Sequence, residues 1–455
     1  MIGIGLGLVL SCGPARRGLG DLPDLQIVES QLVSSTVALT WTTGAEGRSW
    51  VEYGVDDPAE HHTPHTAPAT AHEVRLVGLE PLSRYRWRAI TELDDGTRLQ
   101  TGINTLERPP PPQGLPRLTT SVHDPRSVAS SGYLVTTLIE ADGGWVVILD
   151  GDGDAVWWYD TGHDGTIPPD LVGLTPPGWG GHTLPVTSRY DAATHSILVA
   201  FYDGAQQLDV ATFRRIPLDA MSPDEIVTTR TELGHHDFVY HADEGVVAWL
   251  AYQVERIEGE RWAADAVLET LEGNRSAGGV SAVWSWHDDF EADPILSDEL
   301  QRSFSPDIAE LEWTHSNSLM YEPISGSYFV MSKFLDCLVK IDRATGRGVW
   351  VLGGAFSDFT LPSGDPVWSG LRDSALWSHA HMSELWYDPA QGAGGFVVFD
   401  NGYHHPSAEG GEGASRISEY RFDEQAGTVE KIWEYAEPDG AFTPLMGDVR
   451  RLPGS

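Results

Sequence analysis

His315-Ser-Asn-Ser-Leu-Met-Tyr-Glu322, Tyr328-Phe-Val-Met-Ser332, Cys337-Leu-Val-Lys-Ile-Asp342 and Gly348-Val-Trp350-Val351 follow one another along the chain, broken by the turn formers Pro323, Gly326, Thr345 and Gly346. Short apolar runs rich in β-branched and aromatic residues, bounded by turn residues, read as four successive strands. The unit recurs. His182-Thr-Leu-Pro-Val-Thr-Ser-Arg-Tyr-Asp191, His236-Asp-Phe-Val-Tyr-His-Ala-Asp243 and His381-Met-Ser-Glu-Leu-Trp-Tyr-Asp388 each open on a histidine. An acidic turn residue falls seven positions after His236, His315 and His381, and nine after His182. An apolar strand follows each turn, as in Ser196–Tyr202, Val246–Tyr252 and Phe396–Phe399, and later strands are clear at Arg416–Phe422 and Val429–Trp433. A further copy is visible at Gly144–Asp150 with Ala155–Trp158. Four strands recurring at roughly 50–80 residues describe a β-propeller with loop insertions. The fold class is therefore all-β, a six-bladed propeller. Five blades are complete enough to trace, and the sixth begins at Phe442–Pro453, so the last blade reads as incomplete, with an open edge.

Upstream, residues 23–107 read as a small β-sandwich. Thr36–Trp41, Trp50–Tyr53 and Arg84–Ala89 alternate inward and outward side chains, and Trp41 is its expected core tryptophan. Leu79-Glu-Pro-Leu-Ser-Arg-Tyr85 is similar to the corner of fibronectin type III domains, where a tyrosine hydroxyl pins a turn. The prolines at 109–112 favour an extended spacer, which places a linker at 108–118 and the propeller at 119–455. Residues 1–22 read as a lipoprotein-type signal and tether: an apolar run too short to cross a bilayer leads into Val9-Leu-Ser-Cys12, with Cys12 the lipidation site. No Lys or Arg precedes that run, which a signal peptide normally carries. The expected location is outside the cytoplasm, periplasmic or on the outer membrane, with membrane attachment by the lipid alone.

Acidic residues number 67 against 29 basic, a formal charge of −38, which excludes a nucleic-acid partner because phosphate binding needs a basic surface. Asp150-Gly-Asp152-Gly-Asp154 lacks the glycine and the bidentate glutamate of a calcium loop and reads as an acidic hairpin turn. The first strand of each blade lines a propeller's channel, so the repeat places His182, His236, His315 and His381 around one axial opening. Converging imidazoles mean a metal or catalysis, yet no tight metal spacing is present. Adjacent pairs such as His235-His236 point to opposite faces of a regular strand.

Trp313-Thr-His315-Ser-Asn317-Ser, Met331-Ser-Lys333, Val339-Lys-Ile-Asp342, Trp350-Val-Leu352-Gly-Gly, Phe399-Asp-Asn-Gly402, His235-His236-Asp237-Phe238 and Met446-Gly-Asp-Val449 together resemble the bacterial arylsulfotransferases. The resemblance covers most of 119–455 and is most specific over 312–354. It implies a six-bladed propeller with an added β-sandwich. The implied activity moves a sulfuryl group from an aryl sulfate to a phenol by a ping-pong route, without cofactors and without 3′-phosphoadenosine 5′-phosphosulfate. It places the nucleophile on His381 and its supporting histidines on His236 and His315. The family's arginine falls on Lys333, eighteen residues after His315, where lysine keeps the charge but loses the planar fork. His182, His379 and Asn317 are the expected substrate-binding residues, and His379 is the nucleophile if the strand is shifted by two. The partners implied are a small aryl sulfate and a phenol, with the chain alone or as a homodimer. Two other readings are a non-catalytic lipid-anchored propeller that binds a partner, and a metal- or quinone-dependent oxidoreductase.

Overall fold

The computed structural model describes residues 22, 24–117, 132–140, 143–161, 183–203, 210–276, 278–292, 301–302, 309, 311–370, 374–404, 413–436, 440, 442–444 and 446–449. His182 and Cys12 lie outside them. The chain is all-β, with a propeller arrangement of five blades and one curled sheet. It forms two compact units, Met1–Val172 with Gly180–Val199 and Arg215–Val227, and Gly173–Trp179 with Ala200–Arg214 and Thr228–Ser455.

In the first unit, β1 (Gln26–Glu29), β2 (Val37–Gly54), β3 (His61–His62), β4 (Ala69–Leu76), β5 (Arg84–Leu93), β6 (Arg98–Gln100) and β7 (Asn104–Glu107) form a single seven-stranded sheet. The expected pair of stacked sheets is replaced by this one curled sheet because β2 runs through both halves. Its first half pairs with β1 and β4 and its second with β3 and β5, across a register shift between Thr42 and Gly47. Gly47 is required there: a Cβ would stand 2.7 Å from Glu92 O. Trp41 is buried as expected, and its indole N–H donates to Thr91 Oγ1 at 2.9 Å. The corner is also present, since Glu80 N donates to the Tyr85 hydroxyl at 3.0 Å. Beyond the prolines come β8 (Leu134–Glu140), β9 (Gly143–Leu149) and β10 (Ala155–Asp160), the first blade. The β9–β10 turn is the acidic hairpin, held by Asp152 N and Asp154 N donating to Asp150 Oδ1. The curled sheet is bonded directly to later residues of its own unit, with Trp158 Nε1 on Ser34 Oγ at 2.9 Å and Ser30 Oγ on Ala220 O at 2.7 Å.

The second blade is β11 (Thr183–Asp191), β12 (Ser196–Asp203), β13 (Val210–Pro217) and β14 (Val227–Glu232). The third is β15 (Gly234–His241), β16 (Val246–Ile257) and β17 (Glu260–Leu271), extended by β18 (Ser281–Ser285), β19 (Gln301–Arg302) and β20 (Leu311–Glu312), with one helical turn, α1 (Trp286–Asp289). The fourth is β21 (Ser316–Glu322), β22 (Ser327–Ser332), β23 (Cys337–Asp342) and β24 (Arg347–Gly353), and the fifth β25 (His381–Asp388), β26 (Ala393–Asp400), β27 (Arg416–Asp423) and β28 (Thr428–Ala436). The expected sixth blade is not formed among the described residues. From 440 to 449 those residues carry no strand. Their polar groups are taken by side chains instead: Asn401 Nδ2 donates to Thr443 O and Met446 O, and Thr443 N donates to Ser415 Oγ.

Strand β22 explains why the blades read as nearly unbroken apolar runs. All six of its residues are buried, because both faces are covered. Tyr328 and Val330 pack with Ala248, Leu250 and Trp313 of the third blade and its flank, whereas Phe329 and Met331 pack with Trp377, Phe396 and Tyr420 on the fifth-blade side. The inner strands are also stitched by polar groups: Leu319 N donates to Asp237 Oδ2 at 2.8 Å, and Ser318 Oγ meets Ser383 Oγ at 3.0 Å. Trp377 is fully buried against Phe396 and Tyr420, while Ile324 in a hairpin turn is 81% exposed. Urea unfolding should show Trp377→Ala losing about 3–5 kcal/mol and Ile324→Ala within about 0.5 kcal/mol of the parent.

Candidate active site

Each inner strand of the second unit breaks its ladder where it enters the site. Register shifts fall between His235 and Phe238, Ser316 and Ser318, and His381 and Ser383. A bulge re-aims the side chains beside it. The backbone is strained at the same places, with φ of +52° at His236, +46° at His315 and +58° at His379. A left-handed conformation costs a non-glycine residue about 1–2 kcal/mol. The three aligned histidines are therefore not equivalent by ladder position. His236 sits inside a bulge, His315 precedes β21, and His381 is the first residue of β25, with His379 as the left-handed residue of that blade.

The bulges bring the imidazoles together. The His236 ring centroid lies 4.9 Å from that of His315 and 6.4 Å from that of His381. His315 and His381 are buried and His236 is half-buried. The His235-His236 pair is also gathered rather than sent to opposite faces, because the left-handed turn at His236 cancels strand alternation. Their Nδ1 atoms are 3.0 Å apart with the rings nearly perpendicular.

A polar group stands behind each imidazole. His381 Nδ1 is 2.6 Å from Asn401 Oδ1. The Asn401 amide nitrogen is committed to Thr443 O and Met446 O, so its oxygen faces His381 and must accept. His381 is thus the Nδ1–H tautomer, with the Nε2 lone pair free. His315 Nδ1 is 2.7 Å from Glu312 Oε1, a carboxylate almost fully buried. His235 Nε2 is 3.1 Å from Asp265 Oδ1, and Thr314 Oγ1 and Ser316 N donate to the other carboxylate oxygen. Burial alone raises the Asp265 pKa, but the hydrogen bonds from His235, Thr314 and Ser316 outweigh it and hold the carboxyl below its ordinary value.

Lys333 is buried, its Nζ 5.4 Å from the Phe334 ring centroid and 5.7 Å from that of Tyr403. Its charge reaches both His236 and His381. His379 is fully buried beside Tyr403, at 4.4 Å between centroids, and its backbone N–H donates to Asp336 Oδ1 at 2.6 Å. Asn317 is fully buried too, and its amide donates to Ala380 O at 2.9 Å, between His379 and His381. Among the described residues no group of three or more His, Cys, Asp or Glu is arranged to hold a metal ion. Sequence reasoning missed the supporting groups Asp265, Glu312, His235 and Asn401. The signal for Asp265 was a lone carboxylate inside the apolar strand Trp262-Ala-Ala-Asp-Ala-Val267; the others stood in or beside quoted motifs.

Burial, with the charges of Lys333 and His315, lowers the His381 pKa to about 3 against the opposing hydrogen bonds that the ring donates to Asn401 and the His379 backbone. Burial also holds His236 well below its ordinary value, with His315, His235, His381 and Lys333 adding to it. Both imidazoles are neutral at pH 7.

Residues 224–455 match the family model described as arylsulfotransferase (ASST). No curated protein matches the chain. Among solved structures, it is similar to a dihydro-heme d1 dehydrogenase at 14% identity and a TM-score of 0.29, over 71% of this chain and 56% of that one. It is also similar to a luciferin-regenerating enzyme at 6% identity and a TM-score of 0.30, over 70% of this chain and 80% of that one. An auxiliary nutrient binding protein from Bacteroides ovatus gives 10% identity and a TM-score of 0.29, over 90% of this chain and 87% of that one. The chain thus spans little more than half the length of the first of these.

The depressed histidine pKa values carry a stability consequence. Below about pH 6.5 the unfolded chain protonates these histidines while the folded chain keeps them neutral. Their contribution is therefore complete above that pH and declines as pH falls toward the folded values, by at most about 1.4 kcal/mol per pH unit for each. Urea midpoints measured from pH 7.5 down to 4.5 should fall less steeply in His381→Gln than in the parent; parallel curves would show that His381 is not held neutral by folding.

Proposed function

The chain belongs to the arylsulfotransferase (ASST) family, and from that premise we propose that it moves a sulfuryl group from an aryl sulfate to a phenol through a sulfated His381. The observation that carries this reading is the locked tautomer: Nδ1–H of His381 on Asn401 Oδ1 at 2.6 Å, which leaves the lone pair of the neutral ring on Nε2, within reach of the Lys333 charge. In the first displacement, Nε2 attacks sulfur, the N–S bond forms, and the ester S–O bond breaks to release a phenoxide. In the second, the acceptor oxygen attacks the same sulfur and frees the imidazole. Charge spreads over three sulfuryl oxygens in each transition state, as in phosphoryl transfer. His236, His315 and Lys333 line the place where that charge develops, and preorganised donors there supply the stabilisation. No nucleotide sulfate enters this scheme.

A neutral nucleophile suits an anionic donor because no charge has to be removed before attack. The lysine at 333 offers a point charge over two aromatic rings instead of an arginine's paired donors. The buried Asn317 supports a positioning role, holding the backbone between His379 and His381. Export and lipid attachment at Cys12 belong to this proposal, supported by the apolar run that ends there.

Trapping the protein with an aryl sulfate and no acceptor should give one sulfuryl group on His381, bonded at Nε2, by peptide mass spectrometry. His381→Gln should show neither burst nor turnover. A label on His379 or elsewhere overturns the assignment of the nucleophile. Separately, Lys333→Met keeps the length and removes the charge, and should lower kcat by roughly 10²–10³; an unchanged rate would place Lys333 away from the sulfuryl oxygens.

A further inference from the structure

We propose that Asp265 and His235 form a proton relay behind His236, so that His236 handles the phenolic proton while His315 does not. The proposal rests on the sulfotransfer reading and assigns work within it. His236 and His315 are near neighbours, but their Nδ1 atoms face different partners. His315 Nδ1 meets the Glu312 carboxylate directly at 2.7 Å, which pins a proton there and away from the reacting groups, with the ring stacked on Phe334. His236 Nδ1 meets another imidazole nitrogen, His235 Nδ1, at 3.0 Å. A proton between two imidazole nitrogens can sit on either one. Behind it, His235 Nε2 stands 3.1 Å from Asp265, whose side chain is 0% exposed and whose position is fixed by Thr314 Oγ1 and Ser316 N. The His235 side chain is only 1% exposed and packs on Tyr252 at 4.3 Å between centroids. Its path to the reacting groups therefore runs through His236.

The protons balance across the two displacements. At the start His235 carries both ring protons beside the Asp265 carboxylate, and His236 is neutral with its proton on Nε2. As the ester S–O bond breaks, His236 Nε2–H passes to the phenoxide oxygen, and the His235 Nδ1 proton moves to His236 Nδ1. When the acceptor attacks, its O–H proton goes to His236 Nε2 and the Nδ1 proton returns to His235. No proton is gained or lost over the cycle. His236 never has to become an imidazolium, which its burial among His315, His381 and Lys333 opposes. His235 and Asp265 are positioning residues: neither is placed against the substrate.

The test is the leaving-group dependence of the burst in His235→Gln, using aryl sulfates from 4-nitrophenyl to 4-methylphenyl. A poor leaving group needs its proton and a good one much less. The expected loss is about 10-fold with the nitrophenyl donor and about 10³-fold with the methylphenyl donor, the range of general acid catalysis. An equal loss with every donor would mean a structural role and overturn the relay. If His235→Gln does not fold, the wild-type proton inventory with the methylphenyl donor decides: a bowed plot shows two protons in flight, and a straight one, with a single proton, overturns the relay. A wild-type protein with no burst from any aryl sulfate overturns the sulfotransfer reading itself, and the relay falls with it.

Discussion

A single buried carboxylate holds the site together. Asp265 lies in the middle of an apolar strand, and water reaches none of it. A charge so placed costs several kcal/mol unless its lone pairs are filled. One oxygen is filled by the next blade, through Thr314 Oγ1 and Ser316 N, and the other lies in ion-pair contact with the neighbouring His235 at 3.1 Å. Those two acceptor bonds bracket His315, so the carboxylate that orients one histidine also sets the backbone around another. Replacing it with an apolar residue would leave two donors stranded on the flank of β21. The carboxylate therefore makes the third and fourth blades one object where the imidazoles converge.

Convergence has its own cost. A regular strand sends adjacent residues to opposite faces, and three parallel copies of one residue would stand in a row rather than meet. The bulges and the left-handed residues at His236, His315 and His379 break that regularity in three blades at once. Strain of this kind persists only when the surroundings over-determine it. Here the doubly covered strands, the Asp237–Leu319 bond and the Asn317–Ala380 bond supply the determination. Rigidity in the blades and strain at their inner ends are two sides of one arrangement.

The propeller repeat was legible because apolar strands covered on both faces leave long apolar runs, as in Ser327-Tyr-Phe-Val-Met-Ser332, and because four-residue hairpin turns end in glycine at 245, 326 and 392. The histidines of the site were legible because they share an offset to those turns. What the offset could not give was their register, since a bulge adds a residue without changing the count to the turn. The sixth blade is not confirmed: Phe442–Val449 has the composition of a strand start, yet its described residues form no strand, and the carbonyls of Thr443 and Met446 accept from Asn401. The two-sheet sandwich was over-read for a different reason. Alternating patterns in Thr36–Trp41 and Trp50–Tyr53 do not reveal that one strand joins them. The groups behind the imidazoles were the hardest to see, because a carboxylate that touches a histidine through space has no fixed spacing from it in sequence.

The charge balance completes the picture. A chain with a formal charge of −38 repels the anion it is proposed to take up. That repulsion is long-ranged and screened within about 10 Å at ordinary salt, whereas the interaction with a buried lysine is short-ranged and little screened. Lys333 is held beneath the surface between Phe334 and Tyr403, so its charge is felt by whatever enters the site and hardly at all outside it. The same burial keeps His381 and His236 neutral. A protonated cluster would bind an aryl sulfate more tightly, but it would have no lone pair to attack with. On the sulfotransfer reading, the site gives up some ground-state attraction to keep its nucleophile, and a buried lysine beside the neutral rings of His381 and His236 is the arrangement that does both.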